Sequence, residues 1–162
     1  MTLNEQENSS PGAFQRRLTR FAALPLRAIV GFGFLQHGFA KISKGPDAFA
    51  GILQALHVPA PYLAAYSTIA VEIVGGAALL LGAFVALVSI PTIIVLLTAM
   101  FTVHLPYGFS SIKIKAIVDG RAQFGPPGYE CDLLYIACIV ALICIGPSIC
   151  SIDAYRLRGR AG

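Results

Sequence analysis

A few ionisable side chains interrupt the long apolar stretches of this sequence. They are Arg27, His37, Lys41, Glu72, His104 and Glu130. Polar groups are costly in apolar surroundings, so residues of this kind usually face the interior of a helix bundle and serve a function. Histidine and carboxylate groups can donate and accept protons. The candidate catalytic residues are therefore those of these two types: His37, His104, Glu72 and Glu130.

Three further residues are candidates for binding a substrate or cofactor: Arg27, Lys41 and Tyr129. On the first predicted helix Arg27 and Lys41 occupy one heptad position, and His37 takes the other inward position. Glu72 lies near the middle of the second predicted helix. At 1.5 Å per residue its depth differs from that of Arg27 by about 8 Å, which an arginine side chain can cross. We therefore expect Arg27 and Glu72 to form a buried pair.

The remaining ionisable residues fall near one end of the predicted helices. We expect His37, His104 and Glu130 to line one ligand pocket there, with Lys41 at its mouth. Structural roles remain open for the same residues: a hydrogen-bonded core histidine, a lysine that reaches the interface, a buried pair that sets helix register, or ordinary helix ends. Two histidines with a glutamate could also bind a metal, although we predict no metal site.

The elements that must position these residues are apolar helices. The chain has 162 residues, of which 56% are hydrophobic and 12% charged, whereas soluble domains carry about 25% charged residues. This composition excludes a soluble fold, intrinsic disorder and a nucleic-acid-binding arm. From residue 62 to residue 103 the only charged residue is Glu72. That run is twice the length of about 20 residues that one crossing requires, and Gly82 marks a reversal within it.

We therefore predict an all-α membrane protein, a bundle of four transmembrane helices at about residues 25–42, 62–82, 84–104 and 131–149. Residues 1–12 are predicted to be a disordered tail, 13–155 the membrane domain and 156–162 a basic tail. Between the third and fourth helices an alternating segment and Asp119-Gly120 predict a small β-hairpin over the outer face.

Both termini are predicted to be cytoplasmic, in a multi-pass protein of the inner membrane. Four crossings place both ends on one side, and the segments beside them carry Arg16, Arg17, Arg20, Arg156, Arg158 and Arg160. The opposite loops carry Lys41, Lys44, Lys113, Lys115 and Arg121. The side that holds the termini thus carries six basic residues and the opposite side five, and the positive-inside rule places the side with more of them in the cytoplasm.

Motifs of soluble cofactor enzymes are absent. The sequence contains no C-x-x-C, nucleotide-binding glycine pattern or haem-attachment motif. Its four cysteines are spaced six or seven residues apart in or beside the fourth predicted helix, and we interpret them as small apolar residues. No metal or nucleotide signature is present.

Motifs distributed along the chain resemble those of a known family. In order they are Arg27…Gly31-x-x-Phe34-x-x-His37-Gly38-x-x-Lys41, Glu72-x-x-Gly75-Gly76-x-x-Leu79-x-x-Gly82, His104-x-x-Tyr107-Gly108-Phe109 and Gly128-Tyr129-Glu130. Together with Ser151-x-Asp153 they resemble the DoxX family over about residues 24–155. The resemblance implies a four-helix inner-membrane protein related to subunits of a thiosulfate:quinone oxidoreductase.

The resemblance suggests a membrane redox subunit that binds a quinone or small substrate near the outer face. His37 and His104 would then bind the quinone carbonyls, and Glu72 or Glu130 would relay protons. Arg27 would stabilise the site electrostatically. Because the sequence shows no redox centre of its own, a partner protein would supply or accept electrons. The alternatives are a non-catalytic assembly module and a pathway for protons or small solutes. Membrane lipid is the other expected partner, and the sequence leaves open whether the chain forms a homo-oligomer.

Overall fold

A computed structural model describes the backbone of residues 11–159 and the side chains from residue 21 onward. Residues 1–10 of the predicted disordered tail lie outside this range, and the first helix begins at Pro11. Residues 160–162 at the end of the predicted basic tail also lie outside it.

The described part of the chain is mostly helical. In order, its elements are α1 (Pro11–Lys44), α2 (Pro46–Ala55), α3 (Pro61–Leu81), α4 (Val85–Tyr107), β1 (Ile114–Val118), β2 (Arg121–Phe124), α5 (Glu130–Ile145) and α6 (Ile152–Arg158). The prediction of a helical protein with one small β-hairpin is confirmed.

Helices α3 and α4 cover the long apolar run. Their most apolar windows have mean hydropathies of 1.7 and 2.3, and they are the two helices in the described residues long and apolar enough to cross a membrane. Gly82 ends α3 with a φ of 63°, a left-handed conformation that glycine adopts without steric cost. The predicted reversal at Gly82 is therefore confirmed.

The outer surface of the helices is apolar. Large hydrophobic side chains are exposed on α1, α3, α4 and α5, among them Phe32, Phe39, Leu63, Val74, Ile90, Phe101 and Leu134. Soluble monomers rarely expose extensive apolar surface, because contact of such surface with water is unfavourable. This exterior agrees with the two membrane-length helices, and the protein has the character of a membrane protein.

A small core joins the four long helices. Its buried residues come from α1, α3 and α5: Ala23, Val30, Phe34, Leu79, Ile139 and Leu142. The backbones of α1 and α3 meet at Gly31 and Gly76. A Cβ atom on Gly31 would lie 2.8 Å from the carbonyl oxygen of Gly76, which is too close for any other residue without a shift of the helices. Gly76 therefore lets α1 come into backbone contact with α3, the helix that carries Glu72.

The C-terminal segment closes the turn between α3 and α4. The Asp153 carboxylate accepts hydrogen bonds from the backbone N–H groups of Phe84 (2.8 Å) and Val85 (3.0 Å). These are donors that the first turn of α4 cannot satisfy within the helix. The N–H of Asp153 donates in turn to the Gly82 carbonyl at 3.0 Å. The segment after α5 is thereby attached to the start of α4.

Strands β1 and β2 form an antiparallel hairpin. Asp119 and Gly120 at its turn have φ values of 49° and 71°. Two successive positive φ angles are typical of the tight turns that match the twist of a hairpin. The prediction of a turn at this dipeptide is therefore confirmed.

Candidate functional site

One cavity of about 730 Å³ is enclosed mainly by α1, α3, α4 and α5. Most of its lining is apolar, with side chains such as Ile94, Val95 and Leu96. Its lining residues with ionisable side chains are His37, Lys41, Glu72, His104, Cys131, Asp132 and Tyr135. Pro127 and Gly128, which follow the hairpin, also line the cavity, so the loop contributes to its wall.

Lys41 and Glu72 form an ion pair at the cavity wall. The Lys41 Nζ lies 2.6 Å from Glu72 Oε1 and 2.8 Å from Oε2, so it donates to both carboxylate oxygens. Glu72 is 5% exposed, and a carboxylate so buried requires a partner of opposite charge. The ammonium group also lies 5.0 Å from the centroid of the Phe49 ring on α2, a favourable cation–π distance.

His104 and Asp132 form a second pair, between α4 and α5. The distance from His104 Nδ1 to Asp132 Oδ2 is 2.6 Å, and Asp132 is 5% exposed. A carboxylate accepts, so Nδ1 carries the proton of this bond and the imidazole is held in one orientation. The second ring nitrogen, Nε2, is then available to a ligand.

Both pairs include a residue from a π-helical turn. Glu72 lies in the turn Val71–Gly75 of α3 and His104 in the turn Met100–His104 of α4. A π turn inserts an extra residue into the helix and often occurs at functional sites. It also shifts the following side chains away from the 3.6-residue periodicity, so a heptad pattern does not give the direction of these two side chains.

Two more polar groups line the same cavity. His37 is an exposed residue on α1, one turn before Lys41. Tyr135 lies on α5, three residues after Asp132, and its ring packs edge-on against Phe34 with centroids 5.9 Å apart. The structure thus brings four of the predicted site residues to one cavity: His37, Lys41, Glu72 and His104.

Asp132 and Tyr135 were missed by the sequence reasoning. Asp132 is two positions after Glu130, at the start of an otherwise apolar helix. The criterion that selected Glu130, an acidic residue where a membrane helix begins, applied equally to Asp132. The choice between them depends on which face of α5 is turned inward, and α5 has too uniformly apolar a sequence to show this.

Glu130 and Tyr129 hold the loop and do not line the cavity. Glu130 Oε2 accepts a hydrogen bond of 3.0 Å from the Ser111 backbone N–H. The Tyr129 ring packs edge-on against Phe109 with centroids 5.6 Å apart. The expectation that Glu130 shares a pocket with His37 and His104 was wrong, because its position on α5 directs it toward the loop.

Arg27 lies at the opposite end of the helices from this cavity. Its guanidinium donates to the carbonyl oxygens of Leu80 (2.9 Å), Cys150 (2.9 Å) and Ile149 (3.4 Å), and contacts Ser148 Oγ at 3.5 Å. Carbonyls at a helix end have no partner within the helix and carry partial negative charge. Arg27 therefore joins the end of α3 to the segment after α5, and the predicted pair with Glu72 was wrong.

The register of α1 against α3 explains this correction. The helices are antiparallel and meet at Gly31 and Gly76, so positions before Gly31 face positions after Gly76. Arg27 consequently reaches Leu80, while Gly38 faces Glu72: a Cβ atom on Gly38 would lie 3.2 Å from the Glu72 Cβ. Lys41, one turn beyond Gly38, is then the cation within reach of Glu72.

The chemistry available in the cavity is hydrogen bonding and proton transfer beside an apolar surface. No three histidine, cysteine, aspartate or glutamate side chains in residues 11–159 are grouped as a metal site requires. The cavity groups that can exchange a proton with a ligand include the Lys41–Glu72 ion pair, the hydrogen-bonded His104–Asp132 pair, His37, the Cys131 thiol and the Tyr135 phenol. Such an arrangement suits an apolar ligand that carries polar oxygen atoms.

Comparison with known proteins identifies the family. Neither a curated protein nor a solved structure matches the chain. The family model described as DoxX matches residues 22–105, just over half of the sequence. The matched range includes α3, α4 as far as Leu105, and four of the ionisable cavity residues, His37, Lys41, Glu72 and His104. The chain therefore belongs to the DoxX family.

Proposed function

We propose that this protein is an integral membrane subunit of a quinone-linked redox system and binds the quinone head group in its cavity. The observation that carries the proposal is the position of an ion pair, Lys41–Glu72, and a hydrogen-bonded pair, His104–Asp132, on the wall of one apolar cavity. A quinone needs this combination, since its ring and tail are apolar and its two carbonyl oxygens accept protons.

The cavity fits such a ligand. Its volume of about 730 Å³ is within the range of about 300–1,000 Å³ of small-molecule sites, which are mostly apolar with a few polar groups. Apolar side chains of α3 and α4 form much of the lining, and these helices expose apolar surface on their outer sides. A hydrophobic tail leaving between helices would therefore enter lipid.

Each pair has a defined part in this proposal. In its imidazolium form, His104 donates a hydrogen bond to Asp132 from Nδ1 and one to a carbonyl oxygen of the ring from Nε2. The Lys41 ammonium, held by Glu72, lies at the cavity wall and donates to the second. His37 exchanges protons between the cavity and the aqueous side. A bound quinone accepts two electrons and two protons in full reduction, and a redox centre of a partner protein supplies the electrons.

We further propose that the chain crosses the inner membrane four times, with α1 and α5 as the additional crossings. The exposed apolar side chains of α1 and α5, such as Phe32 and Leu134, support their contact with lipid. The C-terminal segment and Arg27 lie at one end of the helices and the hairpin at the other. The arginine-rich end would face the cytoplasm, following the positive-inside rule.

The experiment is to measure quinone bound to the purified protein. We expect a lipid extract of the wild-type protein to contain quinone, and a short-tailed quinone to bind the detergent-solubilised protein. Asp132→Asn should weaken that binding about tenfold, because His104 loses a charged hydrogen-bond partner that orients it. Asp119→Asn is the matched control, since the hairpin turn lies outside the cavity and asparagine tolerates a positive φ.

Two results would contradict the proposal. One is the absence of both co-purified quinone and short-tailed quinone binding in the folded wild-type protein. The other is equal binding by Asp132→Asn and Asp119→Asn. If, in addition, a protein partner stays bound in mild detergent and His37→Ala leaves function intact, a non-catalytic assembly module becomes the better interpretation.

A further inference from the structure

The hairpin between α4 and α5 has one wholly apolar face. Ile114 pairs with Phe124 and Ile117 pairs with Ala122, and directly paired residues project from the same side of a sheet. In a regular strand Ile114 and Ile117, three residues apart, would project from opposite sides. The irregularity between Ile114 and Ala116 places both on one side, because a bulge shifts the alternation by one residue.

This face is not covered by the rest of the described chain. Ile114, Ile117 and Phe124 are 64%, 73% and 62% exposed. A two-stranded hairpin by itself is only marginally stable in water. Three large apolar side chains on one exposed face therefore indicate that the hairpin rests on another apolar surface.

The position of the hairpin indicates which surface this is. Its two flanks are pinned to each other at the ends of α4 and α5: the Gly128 N–H donates to the Ser110 carbonyl, the Tyr129 N–H to Gly108 and the Glu130 N–H to Phe109, at 3.0–3.1 Å. Helix α4, which has the length of a membrane crossing, ends at Tyr107. The hairpin begins a few residues later, so it lies at the level of the bilayer interface.

The charges of the hairpin are complementary to a lipid surface. Lys113, Lys115 and Arg121 carry three positive charges, against one negative charge on Asp119. Apolar side chains beside lysine and arginine are the combination that holds amphipathic elements at membrane surfaces, where anionic headgroups attract the basic residues. The open edges of both strands also require water or headgroups, which excludes a deeper position in the hydrocarbon.

We propose that the hairpin is an anchor on the lipid surface: its apolar face lies in the boundary between headgroups and acyl chains, and its basic residues contact anionic phospholipid headgroups. The anchor holds the loop that contributes Pro127 and Gly128 to the cavity wall. It depends on insertion of the protein in a membrane and is independent of whether the cavity binds a quinone.

Tryptophan fluorescence tests this proposal directly, because the natural chain contains no tryptophan. Ile117→Trp places a single probe on the apolar face, and Gln123→Trp places the matched probe on the other face of the same hairpin. In nanodiscs that hold one copy each, acrylamide should quench Ile117→Trp about three-fold less than Gln123→Trp, since its ring is buried in lipid. Lipids brominated near the glycerol end of the acyl chains should quench the fluorescence of Ile117→Trp more strongly than that of Gln123→Trp.

The lipid composition tests the role of charge. Protection of the Ile117→Trp side chain from acrylamide quenching should increase when phosphatidylglycerol is added to phosphatidylcholine nanodiscs. Lys113→Gln, Lys115→Gln and Arg121→Gln introduced together should abolish that increase. Equal acrylamide quenching of the two tryptophan variants in both lipid compositions would overturn the proposal. Protection that appears only in nanodiscs holding two copies would also overturn it and would assign the face to an interface between copies.

Discussion

At the scale of single residues, the cavity depends on charges that neutralise one another. Glu72 and Asp132 are both almost completely buried, and each is within 2.6 Å of a nitrogen on a different helix. An isolated buried carboxylate would be strongly unfavourable, so each partner makes the other tolerable. In the function proposed above, the same contacts position the donors that the ligand meets, so stability and binding would depend on the same atoms.

Lys41 and Glu72 should be thermodynamically coupled. Glu72→Gln alone and Lys41→Gln alone should each lower stability by about 1–3 kcal/mol, less than for a fully buried pair because the Lys41 side chain is partly exposed. The double variant should cost clearly less than the sum. The measurement is the thermal midpoint of the helical circular dichroism signal in detergent.

The pair Arg27 and Glu72 supplies the control for that cycle. Arg27 binds backbone carbonyls at the other end of the helices, so losses from Arg27→Gln and Glu72→Gln should be additive. Coupling between Arg27 and Glu72, or additive losses for Lys41 and Glu72, would show that the ion pairing differs from the one described above.

At the scale of elements, the approach of α1 and α3 determines which side chains can meet. Gly31 and Gly76 let the two backbones touch, and this contact sets the register between the helices. Small residues allow such close packing of membrane helices, where association depends on van der Waals contact because lipid tails are as apolar as the helices themselves. A different register would pair Glu72 with another residue.

Gly31→Ala should therefore destabilise the protein. Its methyl group would lie 2.7–2.8 Å from backbone atoms of Leu80 and Gly76, and helices that separate to relieve this clash lose packing, at a cost of about 1–3 kcal/mol. Gly51→Ala, in the interior of α2, is the matched control. No atom lies within 4 Å of a Cβ built there, and alanine is the better helix former.

The thermal midpoint distinguishes the two glycine variants. We expect it to fall for Gly31→Ala, and to stay constant or rise for Gly51→Ala. The Lys41–Glu72 coupling energy should also decrease in the Gly31→Ala background, because separation of α1 from α3 moves the two charges apart. An unchanged midpoint for Gly31→Ala would mean that the two helices do not touch at this position.

At the scale of the whole molecule, the two ends of the helices differ in their function. One end is closed by backbone contacts: Arg27 binds the carbonyls after α5, and Asp153 caps α4. The other end holds the cavity, the Lys41–Glu72 and His104–Asp132 pairs, and the hairpin. A closed end and a polar end with a cavity support the function proposed above, in which a ligand enters near one face.

The orientation of these ends in the membrane can be measured by cysteine labelling. In a chain whose four natural cysteines are replaced, Asp119→Cys in the hairpin should react with a membrane-impermeant maleimide in intact spheroplasts. Asn8→Cys should react only after the membrane is permeabilised, because the arginine-rich end is expected in the cytoplasm. Reaction of Asn8→Cys in intact spheroplasts would contradict the proposed orientation.

The class of the protein and much of its local structure could be predicted from the amino-acid sequence. A run of 42 residues with one charge is incompatible with a soluble fold, and the Asp119-Gly120 dipeptide specified the hairpin turn through its two positive φ angles. The sequence also indicated His37, Lys41, Glu72 and His104 as candidate site residues, and all four line the cavity. This was possible because a polar group in an apolar helix is costly wherever the helix packs.

Which of these residues contact one another depends on how the helices pack and could not be predicted from the sequence. Lys41 rather than Arg27 neutralises Glu72 because Gly31 and Gly76 set the register of two helices that are distant in sequence. Asp132 rather than Glu130 reaches His104 because packing selects the inward face of α5, and the π turns at Glu72 and His104 shift both side chains from a regular helical period. A pattern along one helix records which residues are polar, whereas their partners depend on close contacts between helices.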